Sequence, residues 1–288
     1  MKLHLECVPC YIRQALEAAK MATDNKKLHE QILRESLILA SKFDTDSTGF
    51  ILQAEIKKVM EKILPEVDPY REVKEKYNNI ALALKDNLKE IIKNSRDSFE
   101  TSLRISLAGN IIDFGPDIDL TERVFKEAIE KSFSQNLDNK KVKSLQKNIN
   151  DAERILFIGD NAGEIVLDKI FIENLPMEKI TYAVRGGPTL NDVTIEDAKM
   201  VSMTDSVRVI TTGLDMPAAI LPQCSTNFLD EYEKSDLIIS KGQGNYEALC
   251  DENKNIFFLL KIKCPVVAEA FNEGYKVGDI VVYNKNIL

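Results

Sequence analysis

The chain has 288 residues, enough for about two domains at roughly 150 residues each. Hydrophobic residues make up 44% and charged residues 29%, which excludes wholesale disorder. Thirty-eight Lys and Arg against 46 Asp and Glu leave a formal charge of −8, a balance that argues against nucleic acid or an anionic membrane surface as a partner. The longest apolar stretches, such as 256–260, are far shorter than the roughly 20 residues of a membrane-spanning helix. The opening Met-Lys-Leu-His-Leu-Glu-Cys has no apolar signal core. Five cysteines without a regular framework point to a reducing compartment. The expectation is a cytoplasmic globular protein whose oligomeric state the sequence leaves open.

The first hundred residues read as successive helices. Ile12, Ala15, Leu16 and Ala19 share one face, and Ile32, Leu33, Leu37 and Ala40 repeat the spacing over 28–42. Asp46-Ser47-Thr48-Gly49 breaks the chain and supplies N-cap residues for a helix over 50–63. The longest stripe, from Val73 through Tyr77, Ala81, Leu84 and Leu88 to Ile92, predicts a helix over 72–93 with its polar residues on the other face. Leu120 to Phe133 is a further amphipathic helix, and Gln135 to Asn150 a solvated connector or exposed helix.

Beyond Asp151 short β-branched runs alternate with helical patterns: 155–158, 180–184, 207–210, 237–239, 256–260 and 280–283. Buried apolar runs alternating with helices predict a doubly wound, mostly parallel sheet, the last pair forming an antiparallel edge. The fold class is therefore a helical N-terminal domain, 1–105, followed by a Rossmann-like α/β domain, 106–288.

Ligands of such a sheet bind beyond the carboxyl ends of its strands. The first strand is followed by Gly159-Asp160-Asn161-Ala162-Gly163-Glu164. The second is followed by Arg185-Gly186-Gly187-Pro188 and then Asn191-Asp192, and the fourth by Lys241-Gly242-Gln243-Gly244-Asn245-Tyr246-Glu247. Any one of these segments reads equally well as a turn; three at one rim point to a site. Asp160, Asn161 and Asp192 offer the carboxylate and amide oxygens that suit Mg²⁺ or Mn²⁺ rather than zinc. Gly163 opens a helix whose N-terminal N–H groups favour a phosphate, Lys241 can reach a phosphate oxygen, and Arg185 can clamp one. Tyr246 is placed to stack on a substrate ring. Neither a dinucleotide fingerprint nor an ATP-binding P-loop is present.

Asp-Asn-Ala-Gly-Glu at 160–164, Arg-Gly-Gly-Pro-x-x-Asn-Asp at 185–192, Lys-Gly-Gln-Gly-Asn-Tyr-Glu at 241–247, Ala-Gly-Asn-Ile-Ile-Asp-Phe-Gly at 108–115 and Cys-Val-Pro-Cys at 7–10 together resemble the DUF89 family of metal-dependent damage-control phosphatases, in its short, Cys-x-x-Cys-bearing archaeal and bacterial branch. The resemblance implies hydrolysis of phosphate monoesters of small metabolites (sugar phosphates, nucleotides or damaged phosphometabolites) with a divalent Mg, Mn, Co or Ni ion. Carried over motif by motif, Asp160, Asn161 and Asp192 would be metal ligands, Lys241 the phosphate contact, and Gly163, Glu164, Arg185 and Asn245 would line the site. Asn110 and Asp113 would face the same cleft, although both also suit a helix C-cap and turn. The acceptor of the phosphoryl group stays open between Asp160 and a metal-activated water, with water favoured because a metal-shared carboxylate is a poorer nucleophile.

Cys7 and Cys10 read first as two semi-buried thiols at a helix start. Zinc, completed by Cys264 or His4, and a redox dithiol are the alternatives; Cys224 and Cys250 read as packing residues. Against the phosphatase stand a non-catalytic metal- or nucleotide-binding module and a methyl transferase. Carboxylates that repel a phosphate without a metal argue against the first, and Arg185-Gly186-Gly187 at the second strand end against the second.

Overall fold

The structure, a computed structural model, describes residues 1–44, 46–65, 68–111 and 121–287. Among these residues the chain forms twelve α-helices and a six-stranded sheet, in two compact units, Met1–Glu72 and Val73–Leu288. The first unit holds α1 (Cys7–Ala22), α2 (Lys26–Ala40) and α3 (Gly49–Ile63). Its core is Ala15 and Ala19 from α1, Ile32 and Ala40 from α2, and Leu52 and Ile56 from α3, the faces expected from their spacing. The Asn25 side chain accepts the Lys27 N–H at 3.1 Å and starts α2.

The larger unit carries α4 (Arg71–Lys93), α5 (Ser98–Ile111), α6 (Glu122–Ser134) and α7 (Asn139–Asp151) ahead of the sheet. Then follow β1 (Ile155–Ile158), α8 (Glu164–Ile172), β2 (Ile180–Val184), α9 (Ile195–Met200), β3 (Arg208–Thr211), α10 (Thr226–Lys234), β4 (Leu237–Lys241), α11 (Gln243–Leu249), β5 (Ile256–Lys261), α12 (Pro265–Ala270) and β6 (Ile280–Tyr283). The stripe of α4, Tyr77 through Ile92, lies in one core with Phe157, Ile165, Phe171, Ile239 and Phe257. Helix α4 from Val73 onward and helix α5, both lying wholly or mostly within the expected helical domain 1–105, thus belong to the compact unit of the sheet. Helix α5 has no counterpart among the expected elements. Ser102, Leu103, Ile105, Ser106, Leu107, Ala108 and Asn110 are all fully buried, and a helix covered on every side leaves no amphipathic period to read.

The sheet order is β3-β2-β1-β4-β5-β6. Strands β1 to β5 run parallel and β6 pairs antiparallel with β5, Phe258 opposite Tyr283. The order reverses between β1 and β4, where Ile158 lies beside Ser240, so the loops after these two strands diverge and open a crevice at their carboxyl ends. No helix among the described residues is long and apolar enough to cross a membrane.

Candidate phosphate and metal site

Two loops are joined at that crevice by their main chains. The chain leaving β1 and the chain leaving β2 exchange bonds from Val193 N–H to the Asp160 carbonyl and from Ala162 N–H to the Asn191 carbonyl, both 2.9 Å, and Asn161 and Asp192 form an antiparallel bridge. Gly163, at φ +76°, turns the chain into α8 in a backbone conformation open to glycine.

Helix α4 holds the same loops from the other side. The Asn78 carbonyl oxygen accepts the Gly163 N–H at 2.7 Å, and its amide donates to Asp197 at 2.9 Å. Asp197 is also paired with Lys74 at 2.8 Å. The start of α8 is therefore not open to a phosphate at Gly163, as its spacing suggested, because Asn78 occupies that N–H. Neither Asn78 nor Lys74 stood out in the sequence. The available signal was their placement one helical turn apart beside Tyr77 and Ala81, on the face that α4 buries.

The side chains gathered at the crevice are polar and almost wholly buried. Asp160 Oδ2 accepts from the amides of Asn161 (2.7 Å) and Asn110 (3.0 Å), which also donate to Glu164 at 3.1–3.3 Å. The Asn161 carbonyl oxygen accepts from Asn191 at 2.8 Å, and that of Asn110 from the Lys261 N–H at 2.9 Å. Arg185 Nε donates to Asp192 at 2.6 Å, and Nη2 lies 3.6 Å from Asp160 Oδ1. Although Arg185 is 0% exposed, neither of its terminal nitrogens has a hydrogen-bond partner among the described residues. Lys241 is equally buried and fully engaged: its ammonium meets Asp168 at 2.5 Å, Glu164 at 2.7 Å and the Ser106 hydroxyl and carbonyl at 2.9 and 3.1 Å. No N–H remains on it for the direct phosphate contact expected of this residue.

Charge decides what such a cluster can hold. Among the described residues, Asp160, Glu164, Asp168 and Asp192 share two buried ion-pair partners, Arg185 and Lys241, so carboxyl groups outnumber their paired cations. Burial, then Asp192 and Glu164, push the Asp160 carboxyl up to about 7 against the pull of Arg185 and Lys263. Burial likewise raises Asp168 to about 6 against Lys241, and raises Asp192 against Arg185. A hard divalent cation matches this excess and the oxygen donors of Asp160, Asn161 and Asp192. Among the described residues no three His, Cys, Asp or Glu side chains are grouped to hold a metal.

The remaining expected residues divide. Asn245 spends its amide on the backbone, donating to the carbonyls of Gly159 (3.2 Å) and Lys241 (2.8 Å) and accepting the Ala219 N–H (3.0 Å). It ties the ends of β1 and β4 rather than lining the crevice. Tyr246 stacks on Phe271 at 4.3 Å within a buried aromatic cluster and is not presented to a substrate ring. Asp113 lies outside the described residues. Cys7 and Cys10 open α1, partly exposed, and neither joins a disulfide; Cys264 belongs to the other compact unit, where its sulfur accepts from Gln243 at 3.4 Å. Cys224 is buried, and burial lifts its thiol to about 12. A groove of about 600 Å³ at the amino ends of β1, β2 and β3 is lined by Arg154, Lys179, Arg208 and Glu231. It is at the opposite end of the strands from the carboxylates, and Arg208 and Glu231 neutralise each other at 2.5 Å.

Gly242, after β4, shows how tightly the acidic end is built. It sits at φ +81°, and a Cβ there would overlap the Asp160 carboxylate. Gly242→Ala is expected to cost about 1–3 kcal/mol through backbone strain and to displace Asp160. Thermal unfolding and metal affinity measured together check this: affinity should fall further than stability alone predicts.

A Rossmann-like protein with a buried acidic cluster at its switch point is the class these features define. The damage-control phosphatase ARMT1-like domain matches residues 3–277. An uncharacterized protein of Methanocaldococcus jannaschii is 35% identical over 99% of this chain and 96% of its own, and a damage-control phosphatase of Archaeoglobus fulgidus is 32% identical over 98% of both. The crystal structure of a DUF89 family protein from Pyrococcus horikoshii superposes with a TM-score of 0.87 at 31% identity, covering 99% of each chain. The chain belongs to the ARMT1-like, DUF89 family of damage-control phosphatases.

Proposed function

We propose that this protein hydrolyses phosphate monoesters of small metabolites, such as sugar phosphates, nucleotides or damaged phosphometabolites, with the help of a divalent cation. The observation that carries the reading is the Arg185 guanidinium, fully buried with neither terminal nitrogen hydrogen-bonded among the described residues. A buried cationic fork with open donors is costly unless an anion completes it, and a tetrahedral phosphate accepts such a fork in two parallel bonds. That guanidinium is 3.6 Å from the Asp160 carboxylate, so a phosphate placed on it meets the negative charge of Asp160. Asp160, Asp192 and, through its amide oxygen, Asn161 would hold the cation that relieves this repulsion. When bound, a Mg, Mn, Co or Ni ion would supply electrostatic stabilisation of the charge that develops on the phosphoryl oxygens.

The chain's own groups do the rest. Arg185 orients the phosphate, with its direction fixed by the Nε bond to Asp192. Asn110 and Asn161 hold Asp160 and Glu164 in place through their amides. Burial of the whole cluster limits competing water and strengthens each charge interaction. A binding module without turnover finds no support here, since four crowded carboxylates repel a phosphate that is only to be retained.

The test is phosphate release by metal-stripped protein over a panel of sugar phosphates, nucleotides and an aryl phosphate, with Mg, Mn, Co and Ni added singly. Release is expected only with metal, together with a rise in unfolding temperature as the ion binds the folded state. Folded protein that releases no phosphate with any of the four ions would refute the reading.

A further inference from the structure

Resting on that reading, we propose that Asp168 and Ser106 are positioning residues. They hold the Lys241 ammonium on Glu164, so that Lys241 serves the site through Glu164 and does not touch the phosphate. Glu164 and Asp168 stand one turn apart on α8 and both face Lys241, at 2.7 and 2.5 Å. The Ser106 hydroxyl, from α5, donates to Asp168 at 2.6 Å while accepting from Lys241 at 2.9 Å. Tyr182, from β2, donates to the other oxygen of Asp168 at 3.1 Å. Gly159 makes room for it, because a Cβ there would overlap the Tyr182 ring and hydroxyl. Ser106, Glu164, Asp168, Tyr182 and Lys241 are all fully buried. An ammonium has three N–H groups, and the acceptors around Lys241 take all three.

The arrangement runs in one direction. Asp168 is fixed by a serine, a tyrosine and a lysine, and among the described residues it makes no hydrogen bond to the amides that bind Asp160. Glu164 is shared between Lys241 and the amides of Asn110 and Asn161 that also bind Asp160. Among the described residues, the hydrogen-bonded path from Asp168 to Asp160 runs through Lys241, Glu164 and the two amides. Remote partners that orient a ligand of a metal are worth about 10- to 100-fold when removed.

The experiment compares Asp168→Asn, Lys241→Met, the double variant and Ser106→Ala in metal-loaded protein. It reads kcat and KM for the aryl phosphate, the inhibition constant of inorganic phosphate, and thermal unfolding. Asp168→Asn is expected to lower kcat by about tenfold or more while KM and phosphate inhibition stay within about twofold, and the double variant should be no slower than Lys241→Met. Wild-type kcat in Asp168→Asn overturns the proposal. So does a loss of phosphate inhibition in Lys241→Met that Asp168→Asn does not share, which would place Lys241 on the phosphate itself. Should Asp168→Asn fail to fold, Ser106→Ala, which keeps every charge, decides by a lower kcat at unchanged KM; wild-type kcat there overturns the proposal too. Wild-type protein inactive with every metal overturns the phosphatase reading and this one with it, whereas active wild type beside an unaffected Asp168→Asn overturns this one alone.

Discussion

Asp160→Asn is expected to lower metal-dependent phosphate release by about 10²-fold or more while leaving the metal-free protein at least as stable as wild type. The two halves share one cause. Asp160 lies among Asp192, Glu164 and a single nearby buried guanidinium. Replacing it with a neutral group of the same size removes a repelling charge from the empty site and a ligand from the loaded one. Asn110 and Asn161, which donate to Asp160 Oδ2, still find an amide oxygen there. Thermal unfolding with and without manganese distinguishes this from simple damage: the ion should stabilise wild type and leave the variant nearly unmoved. A variant that keeps both turnover and the manganese shift would remove Asp160 from the metal site.

Arg185 carries the second large effect. Arg185→Met takes away the one cation bonded to Asp192 among the described residues and leaves that buried carboxylate without its ion pair, a change that costs on the order of 3–5 kcal/mol in comparable buried pairs. Loss of folding would then mask the chemistry, so Arg185→Lys is the informative substitution. A lysine keeps the charge near Asp160 and Asp192 and loses the planar fork. It should fold, and its kcat/KM and its inhibition by inorganic phosphate should weaken by about tenfold or more as the bidentate contact is lost. Equal phosphate inhibition in Arg185→Lys and wild type would show that the open nitrogens of Arg185 do not receive the phosphate.

The two basic residues of the strand ends also mark where sequence reading stops. Arg185 and Lys241 looked alike as cations beyond β2 and β4, and their positions were legible because β1, β2, β4 and β5 are short, fully buried, mainly apolar runs. Their different surroundings were not. The partners that engage Lys241 come from Ser106 on α5, 135 residues away, and from Asp168 on α8. Helix α5 shows no period because it is buried on all sides. Every residue of α8 from Glu164 to Ile172 is buried as well, so Asp168 is hidden in an unbroken interior helix instead of standing out on a polar face. Asn78 and Lys74 escaped for the opposite reason. The stripe of α4 is so regular that its two polar members read as part of a solvent face, when they reach the β1 and β2 loops. A sequence shows which groups stand at a strand end; which acceptors close around each one depends on contacts that span from 7 residues, for Arg185 and Asp192, to 135, for Lys241 and Ser106.

The backbone pairing of the β1 and β2 loops bears on how tightly anything can bind here. Val193, Ala162 and Gly163 commit their amides to Asp160, Asn191 and Asn78 within the polypeptide itself. Both loops consequently lose their conformational freedom when the chain folds, at about 1–2 kcal/mol per fixed residue. An ion or phosphate arriving later finds that disorder already removed and does not lose it a second time. For these two loops, affinity at the crevice is then set by charge and fit, as in other preorganised receptors.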